Sequence, residues 1–171
     1  MSEHVRILGF DPGTRVAGYG VIDAGPGGEL SVVSYGAIHL QKTGAKVDIP
    51  SRLRKLYEAL EEIVREHRPA VLALEKVFHG RSFESVMKVG EARGVGLLVG
   101  ALHDLEIAEY APTRVKKVVT GNGQASKSQV QKMMARLLNF DEPPDPQDVT
   151  DALALAFCYA QGLRRPDLST S

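Results

Sequence analysis

Four carboxylates could carry metal-dependent chemistry in this chain of 171 residues. Asp11 and Glu75 each follow an apolar run of strand length, and Asp148 and Asp151 lie three residues apart where a helix is predicted to begin. Carboxylates gathered at the ends of elements around one sheet repel one another, which raises their pKa values unless divalent cations lie among them. Oxygen ligands without a cysteine or histidine cluster favour Mg²⁺ or Mn²⁺. Two such ions about 4 Å apart can contact the attacking and leaving oxygens of a phosphodiester during hydrolysis.

Each carboxylate also has a purely structural interpretation. Asp11 precedes Pro12 and Gly13, so its side chain could cap its own turn. Asp148 and Asp151 would stabilise the first turn of a helix through the helix dipole without any further role. A second apolar strand that ends in a carboxylate, Glu75, favours a shared site over turn capping.

Strands must position the first two carboxylates. Hydrophobic runs over 5–10, 18–23 and 30–40 predict an antiparallel meander in which Asp11 is the last residue of the first strand. The continuous apolar run at 70–74 predicts a strand that is covered on both faces. A short fifth strand is predicted at 107–110.

Helices are predicted for most of the remaining chain, including the segment that carries Asp148 and Asp151. Apolar residues at a spacing of three and four over 51–67 predict an amphipathic helix. Further helices are predicted at 82–105, 112–120, 127–138 and 146–163. Together with the strands they predict one α/β domain over 1–171, with a flexible tail at 164–171.

The helix at 82–105 contains Gly90, Gly94, Gly96 and Gly100. Each glycine costs a helix interior about 1 kcal/mol relative to alanine, so close packing against another helix is the expected compensation. Packing inside the chain could account for some of these glycines. We expect a subunit interface along this helix, with Gly90, Gly94 and Leu97 in it.

Charges are separated along the chain although the formal net charge is zero. The span 112–140 contains no acidic residue, and Asp141, Glu142, Asp145, Asp148 and Asp151 then follow with no basic residue among them. This pattern favours a positive surface for a polyanion beside a negative pocket for cations, although chance could also produce it. The basic residues of the span are Arg114, Lys116, Lys117, Lys127, Lys132 and Arg136.

The composition excludes some classes of protein. The single cysteine, Cys158, excludes an intrachain disulfide and a cysteine-based zinc site, and it is compatible with a reducing compartment. We expect neither a signal peptide nor a transmembrane helix. The expected location is the cytoplasm.

Four motifs, in order and in register, resemble the RuvC family of Holliday junction resolvases over almost the whole chain. The resemblance implies an RNase H-like fold, with a five-stranded mixed sheet flanked by helices. It also implies a homodimeric, Mg²⁺-dependent endonuclease that nicks two opposed strands of a four-way DNA junction, in association with a branch-migration motor. The motifs are LGFDPGTRVAGYGVID, ALEKVFHGRSFESVMKVGEARG, EYAPTRVKKVVTGNGQASKSQVQ and DVTDALALA.

The resemblance assigns roles to individual residues. It makes Asp11, Glu75, Asp148 and Asp151 the catalytic metal ligands, for two Mg²⁺ or Mn²⁺ ions. Its DNA-contacting aromatic residue falls on Phe78. With the basic residues of that loop and of the acid-free span, the predicted DNA-binding set is Phe78, Lys76, Arg81, Arg114, Lys116, Lys117 and Lys127. Lys76 and residues 79–81 depart from the family pattern. The DNA sequence at which this chain prefers to cut is therefore left open.

We expect hydrolysis without a covalent intermediate, leaving a 5′ phosphate and a 3′ hydroxyl. Asp11 would contact both ions, Glu75 one, and Asp148 with Asp151 the other. Two alternatives remain. An Asp-x-Gly-Thr turn after a strand also opens the phosphate-binding hairpin of actin-like ATPases and sugar kinases, although those need two such domains. The chain could also be a binding module that has lost the chemistry.

Overall fold

The computed structural model describes residues 4–42, 44–76 and 82–164. Its strands are β1 (Val5–Asp11), β2 (Val16–Ala24), β3 (Leu30–His39), β4 (Val71–Glu75) and β5 (Glu106–Tyr110). They form a mixed sheet in the order β3-β2-β1-β4-β5. The predicted meander is confirmed, because β1, β2 and β3 pair antiparallel, whereas β4 and β5 extend the sheet parallel to β1. The α/β class and the five-stranded mixed sheet are therefore as predicted.

Helices cover both faces of the sheet. They are α1 (Ile49–His67), α2 (Phe83–Leu102), α3 (Pro112–Thr120), α4 (Lys127–Leu137) and α5 (Gln147–Arg164). Successive residues of β1 point to opposite faces. Leu8 belongs to the core beneath α1 and α2, and Ile7 belongs to the core beneath α3, α4 and α5. Both faces of β1 are therefore buried in hydrophobic cores. A polar group at the end of this strand lies close to the middle of the fold.

The predicted elements all exist, and their ends agree with the structure to within three residues. The helix predicted at 51–67 begins earlier, at Ile49, because the Asp48 side chain caps it by accepting the Ser51 N–H at 2.9 Å. The helix predicted to reach residue 105 ends at Leu102. Asp104 takes a positive φ of 54° there, and the Leu105 N–H donates to the Gly100 carbonyl oxygen at 2.9 Å. This bond closes the helix in the manner of a C-terminal cap.

The strand predicted from the apolar run at 70–74 is β4. All four residues before Glu75 in this strand are buried, as the prediction of cover on both faces requires. β4 lies next to the central strand β1 and pairs with β5 on its other side.

The four glycines of α2 fall into two pairs. A Cβ atom at Gly96 would lie 2.8 Å from the Phe10 ring, and one at Gly100 would lie 2.7 Å from Ile107. These two glycines let α2 approach the sheet closely. A Cβ atom at Gly90 or Gly94 would meet none of the described residues within 4 Å. Packing inside the chain therefore explains the presence of Gly96 and Gly100 but not that of Gly90 and Gly94.

Over the described ranges, no helix combines the length and the apolar character that crossing a membrane requires. The predicted tail lies outside the described residues except for Arg164, which is the last residue of α5.

Candidate active site

The site is built at the carboxyl ends of two neighbouring parallel strands. β1 and β4 pair in a register that places Phe10 opposite Leu74. Asp11 and Glu75 are the next residues of these strands, so the two carboxylates leave the sheet side by side. Among the described residues, the Asp11 carboxylate has no hydrogen bond from the turn that follows it. Turn capping is therefore not the role of Asp11.

Helix α5 brings the other two carboxylates to the same place. Gly18 of β2 pairs with Asp11, and a Cβ atom at Gly18 would lie 1.9 Å from the Asp148 carbonyl oxygen. The missing side chain thus lets the first turn of α5 rest directly on the strand that neighbours Asp11. Asp148 and Asp151 are three residues apart in this turn and therefore share a face of the helix.

All four carboxylates line one cavity of about 1000 Å³. The cavity lies at the edge of the sheet where β1 and β4 end, and it is open to residues from both faces of the sheet. Its walls combine the β1–β2 turn with parts of α1, α2, α3, α4 and α5. Three elements that are far apart in sequence, β1, β4 and α5, therefore present their acidic groups to one space.

The charges in this cavity affect one another. Burial raises the pKa of Asp11 to about 8, and the negative charges of Asp151, Asp148 and Glu75 add to the rise. Burial also raises the pKa of Asp151 to about 6. The Lys127 ammonium opposes both shifts, and the neighbouring Gln147 side chain further favours the charged form of Asp151, although among the described residues its Nε2 atom meets no acceptor at hydrogen-bond distance. Asp11 thus lies among like charges whose effect on its pKa the Lys127 ammonium offsets only in part.

The donor set fits a hard divalent cation. Its ligand atoms are carboxylate oxygens, and a cation among them would relieve the repulsion that raises the pKa of Asp11. In the part of the chain that the structure describes, no three histidine, cysteine or acidic side chains are grouped closely enough to form a ready-made ligand shell. Binding an ion therefore requires side-chain rotations that draw the carboxylates together.

The predicted DNA-binding residues are only partly brought to this cavity. Lys76, Lys116 and Lys127 line it, whereas Arg114 and Lys117 do not. Arg114 lies near Cys158, where its positive charge opposes the burial that raises the pKa of the thiol to about 12. Phe78 and Arg81 lie outside the described residues.

Several basic residues of the cavity were missed by the sequence analysis. Arg15, Arg52, Lys88 and Arg93 line the cavity on the side of α1 and α2. Arg15 could have been found, since it follows Asp11 by four residues in the same turn. The other three lie on helices whose orientation over the sheet is not encoded in any local pattern. Gln147 was also missed, although it directly precedes Asp148.

The predicted interface residues differ in exposure. Leu97 packs partly against the core beneath α1 and α2, whereas the neighbouring Leu98 is 52% exposed. Gly90 and Gly94 lie on the side of α2 that faces away from the core, as judged from the open space at their Cβ positions. The outward face of α2 therefore runs through the two glycines and Leu98.

Comparisons with known proteins agree with this geometry. Residues 7–159 match the family model described as "Crossover junction endodeoxyribonuclease RuvC". A protein of that name from Alkaliphilus metalliredigens is 44% identical over 154 residues, which cover 90% of this chain and 92% of the relative. The Thermus thermophilus RuvC structure superposes with a TM-score of 0.83 at 28% identity, covering 95% of this chain and 97% of that one.

A second solved structure is that of T. thermophilus RuvC in complex with Holliday junction substrate. It superposes with a TM-score of 0.81 at 26% identity and covers 94% of this chain and 96% of that one. These likenesses extend over almost the whole fold, so the RNase H-like fold that the resemblance implied is confirmed.

Proposed function

Because the chain belongs to the RuvC family of crossover junction endodeoxyribonucleases, we propose that it resolves four-way DNA junctions by nicking two opposed strands. The observation that carries this proposal is the convergence of Asp11, Glu75, Asp148 and Asp151 on one cavity whose rim is basic. The reaction is the hydrolysis of a phosphodiester bond, and its products are a 5′ phosphate and a 3′ hydroxyl. Resolution of such junctions serves homologous recombination and DNA repair.

The four carboxylates would hold two Mg²⁺ or Mn²⁺ ions. Bound there, the ions would lower the pKa of the attacking water and stabilise the leaving 3′ oxygen. Asp11 is the central ligand in this proposal, because it is influenced by all three of the other carboxylates. Because its pKa is raised, Asp11 would bind a cation in competition with a proton.

Lys127 and Gln147 both favour the ionised form of Asp151, which is the form that would bind a cation. Lys127 is the first residue of α4, and its positive charge favours the ionised forms of both Asp11 and Asp151. The Gln147 side chain beside Asp151 also favours the ionised form of that carboxyl. In this proposal Lys116 and Lys127 also contact backbone phosphates of the DNA, and their position in the cavity lining supports it.

We propose that the active form is a homodimer that pairs through the outward stripe of α2, defined as Phe83, Met87, Gly90, Gly94 and Leu98. The spacing of four, three, four and four residues keeps the stripe on one side of the helix. Phe83 is 82% exposed, Met87 51% and Leu98 52%, which is unusual for large apolar side chains. The open glycines would let a second helix approach, and two symmetric nicks require two active sites.

Association with a branch-migration motor and a cytoplasmic location are further parts of the proposal. Family membership supports the first. The single buried cysteine and the lack of a membrane-spanning helix within the described residues are compatible with the second.

A nicking assay on a synthetic four-way junction tests the proposal. Each strand is end-labelled in turn, and cutting is compared in Mg²⁺, in Mn²⁺ and in EDTA, with a linear duplex of the same sequence as control. We expect paired nicks in two opposed strands of the junction only when a divalent ion is present, and we expect a DNA ligase to seal them. The Asp11→Asn variant should bind the junction but not cut it.

Equal cutting of the linear duplex, or cutting by the Asp11→Asn variant, would contradict the proposal. Junction binding by the wild-type chain without cutting in either ion would support the alternative of a binding module. Turnover of ATP would support the kinase-like alternative.

A further inference from the structure

The cavity has basic residues on both of its sides. Lys116 and Lys127 belong to α3 and α4, which pack on one face of the sheet. Arg52 belongs to α1, which packs on the opposite face, and Arg15 belongs to the β1–β2 turn. The carboxylates lie between these two groups, at the edge of the sheet that both faces share.

The basic residues on the side of α1 and α2 differ in whether they have an acidic partner. Lys88 pairs with Glu84, and Arg93 pairs with Glu109. Within the described ranges, neither Arg15 nor Arg52 forms an ion pair with a carboxylate at salt-bridge distance. Arg15 and Arg52 are therefore the cations on this side that remain available for an external anion.

Arg52 is held in place by the turn that carries Asp11. Its Nη1 atom donates to the Thr14 carbonyl oxygen at 3.0 Å, and Thr14 lies three residues after Asp11. A guanidinium has five N–H donors in a rigid fork, so the Nε and Nη2 atoms still present the paired donors that match two phosphate oxygens. A guanidinium already fixed by one hydrogen bond loses less side-chain entropy when it binds a phosphate.

The turn itself is also fixed. The Leu40 N–H donates to the Arg15 carbonyl oxygen at 2.8 Å, which ties the turn to the end of β3. The Arg15 side chain is exposed. Arg15 thus combines a defined backbone position with an exposed charge in the lining of the cavity that holds the carboxylates.

We propose that Arg15 and Arg52 bind backbone phosphates of the DNA on the α1 side of the cavity. The DNA strand would then cross the edge of the sheet from one face to the other, with phosphates bound by Arg15 and Arg52 on one side and by Lys116 and Lys127 on the other. The strand between these contacts passes directly over Asp11 and Glu75. This inference rests on the proposed function and adds a second phosphate-binding wall to it.

The test is the salt dependence of junction binding by the full chain. Binding of a fluorescent four-way junction is measured in EDTA by anisotropy between 50 and 200 mM salt, about the range over which phosphate contacts change affinity most visibly. The variants are Arg15→Ala, Arg52→Gln and Arg52→Lys. The matched control is Arg54→Ala, because Arg54 is an exposed arginine on the same helix that does not line the cavity.

We expect Arg15→Ala and Arg52→Gln each to weaken binding and to reduce the salt slope by about one unit per lost phosphate contact. Arg52→Lys keeps the positive charge but loses the paired N–H donors of the guanidinium. The affinity of this variant for the junction should therefore lie between those of the wild type and Arg52→Gln. Arg54→Ala should leave the affinity and the slope unchanged. Melting temperatures measured in parallel separate a lost contact from a disturbed turn.

Wild-type slopes in both Arg15→Ala and Arg52→Gln would overturn the inference, as would an equal loss in Arg54→Ala. If Arg52→Gln lowers the melting temperature, the salt slope of Arg15→Ala alone tests the inference, and a wild-type slope in that variant overturns it. Failure of the proposed function looks different, because the wild-type chain itself would then neither bind nor cut the junction.

Discussion

Asp11 is destabilising in the absence of a cation, and this follows from its position. The folded-state pKa of about 8 lies above the ordinary value of 3.8, mainly because the group is buried and secondarily because three carboxylates surround it. Between these pH values the folded chain binds more protons at Asp11 than the unfolded chain does. The free energy of unfolding therefore falls as the pH rises through this window. A residue that was selected only for stability would not be an aspartate here.

Replacement of Asp11 by asparagine should therefore stabilise the metal-free chain. Each unit of pKa shift corresponds to about 1.4 kcal/mol, so we expect a gain of up to a few kcal/mol at pH 8 and a smaller gain at pH 5. Thermal unfolding in EDTA at the two pH values measures it. Asp141→Asn, at an exposed position before α5, controls for the lost surface charge. A melting temperature of Asp11→Asn below that of the wild type at pH 8 would contradict the argument.

At the scale of elements, the site depends on how closely α5 lies on β1 and β2. A Cβ atom at Gly9 would lie 1.9 Å from the Ala152 carbonyl oxygen, and one at Gly18 would lie equally close to that of Asp148. At Gly20 the nearest atom instead belongs to the Leu153 side chain, at 2.5 Å. Backbone atoms cannot move without moving the helix, whereas a leucine side chain can change its rotamer.

Gly18→Ala should consequently damage the site more than Gly20→Ala does. We expect Gly18→Ala to displace the first turn of α5, to lower the stability by roughly 1–3 kcal/mol or more, and to raise the Mn²⁺ concentration that cutting requires. Gly20→Ala adds the same methyl group but should have a smaller effect on both quantities. Urea unfolding and Mn²⁺ titration of the nicking rate measure them. Equal effects of the two variants on Mn²⁺ dependence would contradict the proposed positioning role of Gly18.

The sequence predicted the elements well because their signals are local. Asp11 and Glu75 were identifiable because each ends an apolar run, and Asp148 and Asp151 because their spacing matches a helical turn. The close contact between Gly18 and Asp148 was not predictable in the same way, since it requires both the register of β1 with β2 and the docking of α5. The same reason explains why Arg52 was missed, since nothing in the sequence around it shows that it lines the same cavity as Asp11.

At the scale of the whole molecule, the charge pattern along the chain predicted the basic residues on only one side of the cavity. The acid-free span 112–140 includes Lys116 and Lys127, which are close together in sequence and both line the cavity. Arg15 and Arg52 come from separate parts of the chain and meet only after the sheet has formed. A net charge of zero thus conceals a cavity with a negative centre and a basic rim on both sides.

The homodimer can be tested through the open glycines of α2. In Gly94→Leu the new side chain should be tolerated by the folded monomer, because a Cβ atom there meets nothing within 4 Å in the part of the chain that the structure describes. It would, however, hold apart two α2 helices that approach through the outward stripe. We therefore expect sedimentation velocity to show monomers at concentrations at which the wild-type chain is a dimer, with little change in melting temperature extrapolated to low concentration.

Gly162→Leu is the matched control for this substitution. Gly162 is also helical, in α5, and a Cβ atom there likewise meets nothing within 4 Å. Its replacement adds the same side chain away from α2 and should leave the dimer intact. The nicking assay gives a second readout, because a monomer has one active site and should convert the junction to singly nicked products rather than to paired nicks. A dimeric Gly94→Leu variant that still makes paired nicks would show that the subunits do not meet along this stripe.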